Sequence, residues 1–204
     1  MIRVRRHPHA DADGWTFVRP ATEPGSADQQ NIHGFTRSAL APHTDRSFEE
    51  APPALLCLLM LEASAGGGEV LLADACEALR GFSPDVVSAA QNDLWLADAR
   101  GRSRRPVLHM DDGLCIGRYR TDHLASPRAA SKAADEVLAA LGRLATSARR
   151  LSLRPGDGYV IHNHRMLHGR TAFTGHRRCA RLLASVAPDS SHEWLNRGFR
   201  IGAR

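Results

Sequence analysis

The chain has almost no lysine. Lys132 is the single one among 27 basic side chains, and nearly all of the positive charge is arginine. Aromatic residues are also scarce, at 5%, and they do not interleave with the arginines, which are scattered (Arg3, Arg5 and Arg6; Arg149 and Arg150; Arg177 and Arg178). A nucleic-acid module would cluster its basic residues on a stripe with stacking rings, so nucleic acid is not an expected partner. The planar arginine fork suits small carboxylates and phosphates instead. Cys57, Cys76, Cys115 and Cys179 are the four cysteines, and none falls in a C-x-x-C pair. That argues against a zinc cluster or a disulfide frame and for free thiols in a reducing cytoplasm. No apolar leader opens the sequence, and its longest apolar run, Ala54 to Leu61, is too short to cross a bilayer. No membrane association is expected.

At 204 residues and 43% hydrophobic composition, the chain can bury one sizeable core. Residues 1–42 are polar and rich in breakers, and residues 1–30 are expected to form an irregular arm lying on a single domain that spans 1–204. "PALLCLLMLEA" and "GGGEVLLADA" are short, apolar and bounded by Gly or Pro, which favours buried strands. Asp74 is placed to cap a helix over Ala75 to Gly81. Ser83 with Pro84 opens another over Asp85 to Asn92. "RPVLHMDDGLCIGRYR" reads as a hairpin turning at Asp112-Gly113. "SPRAASKAADEVLAALGRLATSARR" is the one long amphipathic helix, with Ser126 and Pro127 as its expected start. Two strand-like runs, "LSLRPGDGYVIHN" and "RRCARLLASVAP", follow. Many short strands and a helical insert predict a mainly β fold, a β-sandwich or jelly roll.

Within this frame, "LAPHTDRSF" places His43 and Asp45 two apart, where extended residues share a face. H-x-D is weak by itself. The stretch "GDGYVIHNHRMLHGRTAFTGHRRCAR" supplies further imidazoles at His162, His164 and His168. One of them added to His43 and Asp45 would give two nitrogen ligands and one carboxylate, the set that holds iron(II) on one face and leaves three positions open. His164 and His168 are four apart, a metal-binding spacing only on a helix; the following Gly169 argues against one. Arg177 and Arg181 share a strand face and could clamp a carboxylate bidentately, with Arg178 pointing the other way.

These stretches resemble the taurine dioxygenase-type (TauD/TfdA-like) iron(II)- and 2-oxoglutarate-dependent oxygenases, especially the branch near clavaminate synthase. The matching segments are "HTDRS" (43–47), "GGEVLLAD" (67–74), "RPGDGYVIHNHRMLHGRTAF" (154–173) and "RRCAR" (177–181), in the family's order. The resemblance implies a double-stranded β-helix and His43, Asp45 and His168 as metal ligands. It implies that Arg177 binds the distal carboxylate of 2-oxoglutarate and that Arg181 supports it, with Arg178 a competitor. Val70 falls where the family usually has a hydroxyl that touches the co-substrate. Arg118, Arg120 and Asp122 fall where related enzymes present side chains to the substrate. The implied cofactors are Fe(II), 2-oxoglutarate and O2, and the implied substrate is a small amino acid-like or carboxylated metabolite. With Asp45 in the motif rather than Gly or Ala, no ligand position is left for a halide, so hydroxylation or desaturation is expected. A homodimer is plausible from the short region before His43. The alternative is a non-catalytic jelly-roll homologue acting as a binding or partner subunit.

Overall fold

The computed structural model describes residues 1–20, 32–101 and 103–202. In chain order the elements are β1 (Ile2–Val4), β2 (Thr16–Val18), β3 (Leu40–His43), β4 (Leu55–Glu62), β5 (Gly66–Gly67) and β6 (Val70–Asp74). Two helices follow, α1 (Ala75–Leu79) and α2 (Pro84–Asp93), then β7 (Leu94–Asp98), β8 (Arg104–Pro106), β9 (Leu108–Asp111) and β10 (Leu114–Gly117). The last part runs β11 (Ala125–Ala129), α3 (Lys132–Thr146), β12 (Arg149–Leu151), β13 (Gly158–His162), β14 (Met166–Arg170), β15 (Phe173–Thr174) and β16 (Arg178–Val186).

Two antiparallel sheets make the jelly roll. One has the order β1-β16-β4-β13, with β2 also on β16; the other has the order β12-β6-β14-β3. Leu56, Ile161 and Leu183 of the first sheet pack with Leu72 and Met166 of the second, so the sheets lie face to face. The second sheet has two unlike faces, because alternate residues of a strand point to opposite sides. Leu167 and Ala73 turn outward into the larger core beside Leu79, Val87, Leu96 and Leu141 of the helical layer. His168 is therefore turned inward, between the sheets. Burying Leu167, 1% exposed, thus fixes the direction of its neighbour.

Most local expectations are met for the reasons the residues suggest. Asp74 accepts from the Cys76 N–H and starts α1, and Ser83 accepts from the Val86 N–H ahead of Pro84. The β9–β10 hairpin turns at Asp112 and Gly113, both with positive φ (47° and 72°), as a two-residue primed turn requires. The long helix begins later than expected. Ser131, not Ser126, caps it, accepting from the Ala134 N–H, and Ala125–Ala129 is an edge strand whose ladder partner among the described residues is β7. Pro127 has no N–H to offer a second neighbour, and an edge strand tolerates that. The expected irregular arm contains two short strands, β1 and β2, both on β16; residues 21–30 of that arm lie outside the described residues. Among the described residues no helix is long and apolar enough to cross a membrane.

His164, in the turn between β13 and β14, is 1% exposed, with its Nε2 3.0 Å from the Pro52 carbonyl oxygen. Burial lowers its pKa from 6.5 to about 4. The unfolded chain then binds a proton that the folded chain refuses between those values, so stability falls as pH drops from 6.5 toward 4. That loss amounts to roughly 3 kcal/mol from this side chain. In denaturant titrations at stepped pH, His164→Gln is expected to flatten the slope in that window. An unchanged slope would assign the acid sensitivity to other groups.

Candidate metal centre and carboxylate pocket

The three residues singled out at positions 43, 45 and 168 converge. His43 and His168 are cross-strand partners in the β3–β14 ladder, and their rings lie 4.5 Å apart, centroid to centroid. Asp45 follows two residues after His43, just past the end of β3. Its Oδ1 lies 3.5 Å from His43 Nε2 and 4.0 Å from His168 Nε2. One ligand atom from each of the three falls within 4.8 Å of the others, and all three side chains are buried. Among the described residues this is the one His/Cys/Asp/Glu group with that geometry.

The backbone explains why the strands come so close. A side chain at Gly169 would collide with the Leu40 carbonyl oxygen and the Pro42 nitrogen, so only glycine lets β3 lie against β14 beside His168. Asn163, fully buried, fastens the ligand loop from below. Its Oδ1 accepts from the Asp45 N–H at 2.8 Å, and its Nδ2 donates to the Asp45 carbonyl at 3.0 Å and the Pro53 carbonyl at 2.9 Å. Arg46, next in sequence, has φ of 53°, an uncommon conformation for a residue with a side chain. Its guanidinium bonds Glu49 at 2.7 Å and the Arg6 carbonyl. Arg5 reaches the other Glu49 oxygen at 2.8 Å. The first residues of the chain are thereby strapped across the ligand loop, and His7 joins the cavity wall.

The protonation states favour a cation. His43 Nδ1 lies 2.9 Å from the Ala41 carbonyl oxygen, so it carries a proton there and the ring turns Nε2 toward Asp45. Burial, then the neighbouring His43, pushes the His168 pKa down to about 3; its ring is neutral. Burial alone would raise the Asp45 carboxyl, but the Arg181 guanidinium beside it holds it well below the usual carboxylate range. A carboxylate and two imidazoles buried this close to one another turn ring nitrogens and a carboxylate oxygen toward one point, an arrangement that a cation between them stabilises. The donor set therefore fits a divalent transition metal.

A cavity of ≈ 690 Å³ opens beside the three residues. On its wall Arg177 is 4% exposed, with Nη1 2.9 Å from Cys179 Sγ and its Nε buried without a partner. Among the described residues no carboxylate pairs with it. Arg178 faces outward and pairs with Glu62 at 3.1 Å; a bulge at Arg178/Cys179 sets this register. Arg181 lines the same wall but is bound to Asp45 Oδ2 at 2.9 Å. Val70, 1% exposed, lines the cavity without a hydroxyl. Of the trio expected to face a substrate, Arg120 is on the wall, held by Asp122 at 2.8 Å, which stands behind it. Arg118 is buried elsewhere, donating to the Glu50 carbonyl at 3.0 Å. His162 is likewise taken up elsewhere, its Nε2 2.8 Å from the Leu195 carbonyl oxygen. The wall also contains His7, Tyr159 and Cys179. Strand alternation from Arg177 and Arg181 points to Cys179; no sequence signal marks His7.

A family model, taurine catabolism dioxygenase TauD, TfdA family, matches residues 2–185. The chain belongs to this family. Among solved structures, asparagine oxygenase in complex with Fe(II), 2S,3S-3-hydroxyasparagine and succinate aligns with a TM-score of 0.63 at 24% identity. The match covers 83% of this chain and 56% of that one. The non-heme iron oxygenase OrfP in complex with Fe and alpha-ketoglutaric acid aligns with a TM-score of 0.65 at 20% identity, covering 90% of this chain and 61% of that one. These likenesses concern the fold, and the TauD/TfdA chain described here spans roughly three-fifths of each of those proteins.

Closing the β3–β14 approach to side chains should disrupt the ligand set before the core. Gly169→Ala is expected to weaken Co(II) binding about tenfold or more, as losses of supporting geometry do, with far-UV circular dichroism retained. Wild-type Co(II) affinity in the variant would show that the strand separation at Gly169 does not set the ligand positions.

Proposed function

We propose that the chain is an iron(II)- and 2-oxoglutarate-dependent oxygenase that hydroxylates or desaturates a small amino acid-like or carboxylated metabolite, releasing succinate and CO2. The observation that carries this reading is the meeting of His43, Asp45 and His168 beside Arg177, a buried guanidinium with no carboxylate partner among the described residues. Iron, when bound with the 2-oxo acid, supplies oxidation of an unactivated C–H bond by O2. The chain's own residues position and enclose. His43, Asp45 and His168 hold the ion; Arg177, stacked 5.8 Å from the Phe173 ring centroid, takes the far carboxylate of 2-oxoglutarate. Arg181 supports from the same strand, and Val70 offers only an apolar contact. Tyr159, Leu58 and Leu183 on the opposing sheet line the cavity with apolar surface, which excludes water from the reacting centre.

The wall carries more arginine than acid, which supports an anionic substrate, with Arg120 the expected trio's contribution. The asparagine and arginine derivatives bound by the two solved relatives make free amino acids the first panel to try. Free thiols at all four cysteines support a cytoplasmic setting.

Succinate formation over a panel of L-amino acids should require both Fe(II) and 2-oxoglutarate, and His168→Ala should abolish it. Arg177→Met should raise the KM for 2-oxoglutarate by roughly 30-fold or more, since losing one side of a buried charge pair costs about 2 kcal/mol at least. Absence of Fe(II) binding, or of any succinate even without an amino acid, would remove the proposal.

A further inference from the structure

The two oxygens of Asp45 have different neighbours. Oδ1 is turned to the imidazoles, 3.5 Å from His43 Nε2 and 4.0 Å from His168 Nε2, while Oδ2 is held by Arg181 Nη1 at 2.9 Å. The backbone of Asp45 is already fixed by Asn163. With the backbone fixed, the side-chain torsions decide where each oxygen points, and the Arg181 contact pins Oδ2. Arg181 is well placed to do so, because β16 is paired on both sides at that residue, with Thr16 of β2 and Leu58 of β4. A carboxylate with both oxygens free can grip one ion with both, which would occupy a coordination position that a chelating 2-oxo acid needs.

We infer that Arg181 is a positioning residue that withholds Oδ2, so that Asp45 offers a single oxygen to the metal and an open position is kept for the co-substrate. The sign of the charge supports this over a simpler role. A guanidinium beside a divalent cation opposes its binding, so Arg181 does not serve to tighten the metal; its effect is on geometry. The same contact offsets the cost of burying the Asp45 carboxylate. This inference rests on the oxygenase reading for the metal, but not on the identity of the substrate.

The test uses Co(II), whose visible d–d absorption reports coordination number, and oxalate, a chelator with no distal group to reach Arg177. In the full chain without any co-substrate, Arg181→Met should bind Co(II) within about threefold of wild type but with a visible band changed in intensity and position. Arg181→Lys, which keeps one charged donor, should restore the wild-type band. Oxalate should bind Co(II)-loaded Arg181→Met at least about tenfold more weakly, and Arg177→Met should bind it as wild type does. A co-substrate-free band in Arg181→Met identical to that of wild type overturns the inference, even if oxalate weakens, because Arg181 would then act on the chelator directly. Should Arg181→Met fail to fold by circular dichroism, Arg181→Gln takes its place with the same expectations. A wild-type chain that takes up no Co(II) sinks the oxygenase reading itself, a separate outcome.

Discussion

The site depends on one antiparallel pairing. His43 and His168 are 125 positions apart in the chain, yet the β3–β14 ladder makes them direct neighbours. Cross-strand partners on one face stand about 5 Å apart at Cβ, close enough for two imidazoles to share an ion. A slip of one residue would turn His168 into the helical core and Leu167 into the cavity. The apolar outer face of that sheet, packed on three helices, is what forbids the slip. Metal affinity and core packing are thus two faces of one register.

Electrostatics divides the cavity wall into committed and uncommitted arginines. Arg46 is tied to Glu49 and Arg6, Arg120 to Asp122, Arg170 to the carbonyls of Gly34, Thr36 and Ser38, and Arg181 to Asp45. Among the described residues the Arg177 guanidinium meets a thiol and an aromatic face but no carboxylate. A buried cation left that way is unfavourable until an anion arrives, which is the ground for proposing Arg177, rather than the arginines already held, as the carboxylate contact.

Much of this was readable in the residues. H-x-D, the later histidine before Gly169, and the alternate arginines have spacings that strand geometry converts directly into a common face. The helix starts at Asp74 and Ser83 and the turn at Asp112-Gly113 have local causes, and local causes are visible in sequence. Ser126-Pro127 misled because a cap followed by proline opens helices in general, whereas here the neighbouring β7 offered a ladder that outweighed it. His7 and the strands of the arm were not visible, since what orders them is a partner strand more than 160 residues away. The displacement of Arg118 from the cavity is of the same kind: alternation told which residues share a face, but not which way a hairpin end would turn.

Arg46 sets two demands against each other. Its left-handed backbone is strained, and Arg46→Gly would relax the turn beside Asp45. The same change would cut the guanidinium that latches residues 5–7 over the cavity. Tolerance of the chain to heat and enclosure of its cavity are therefore opposed at this position, and an engineer selecting only for the first would be led to open the second.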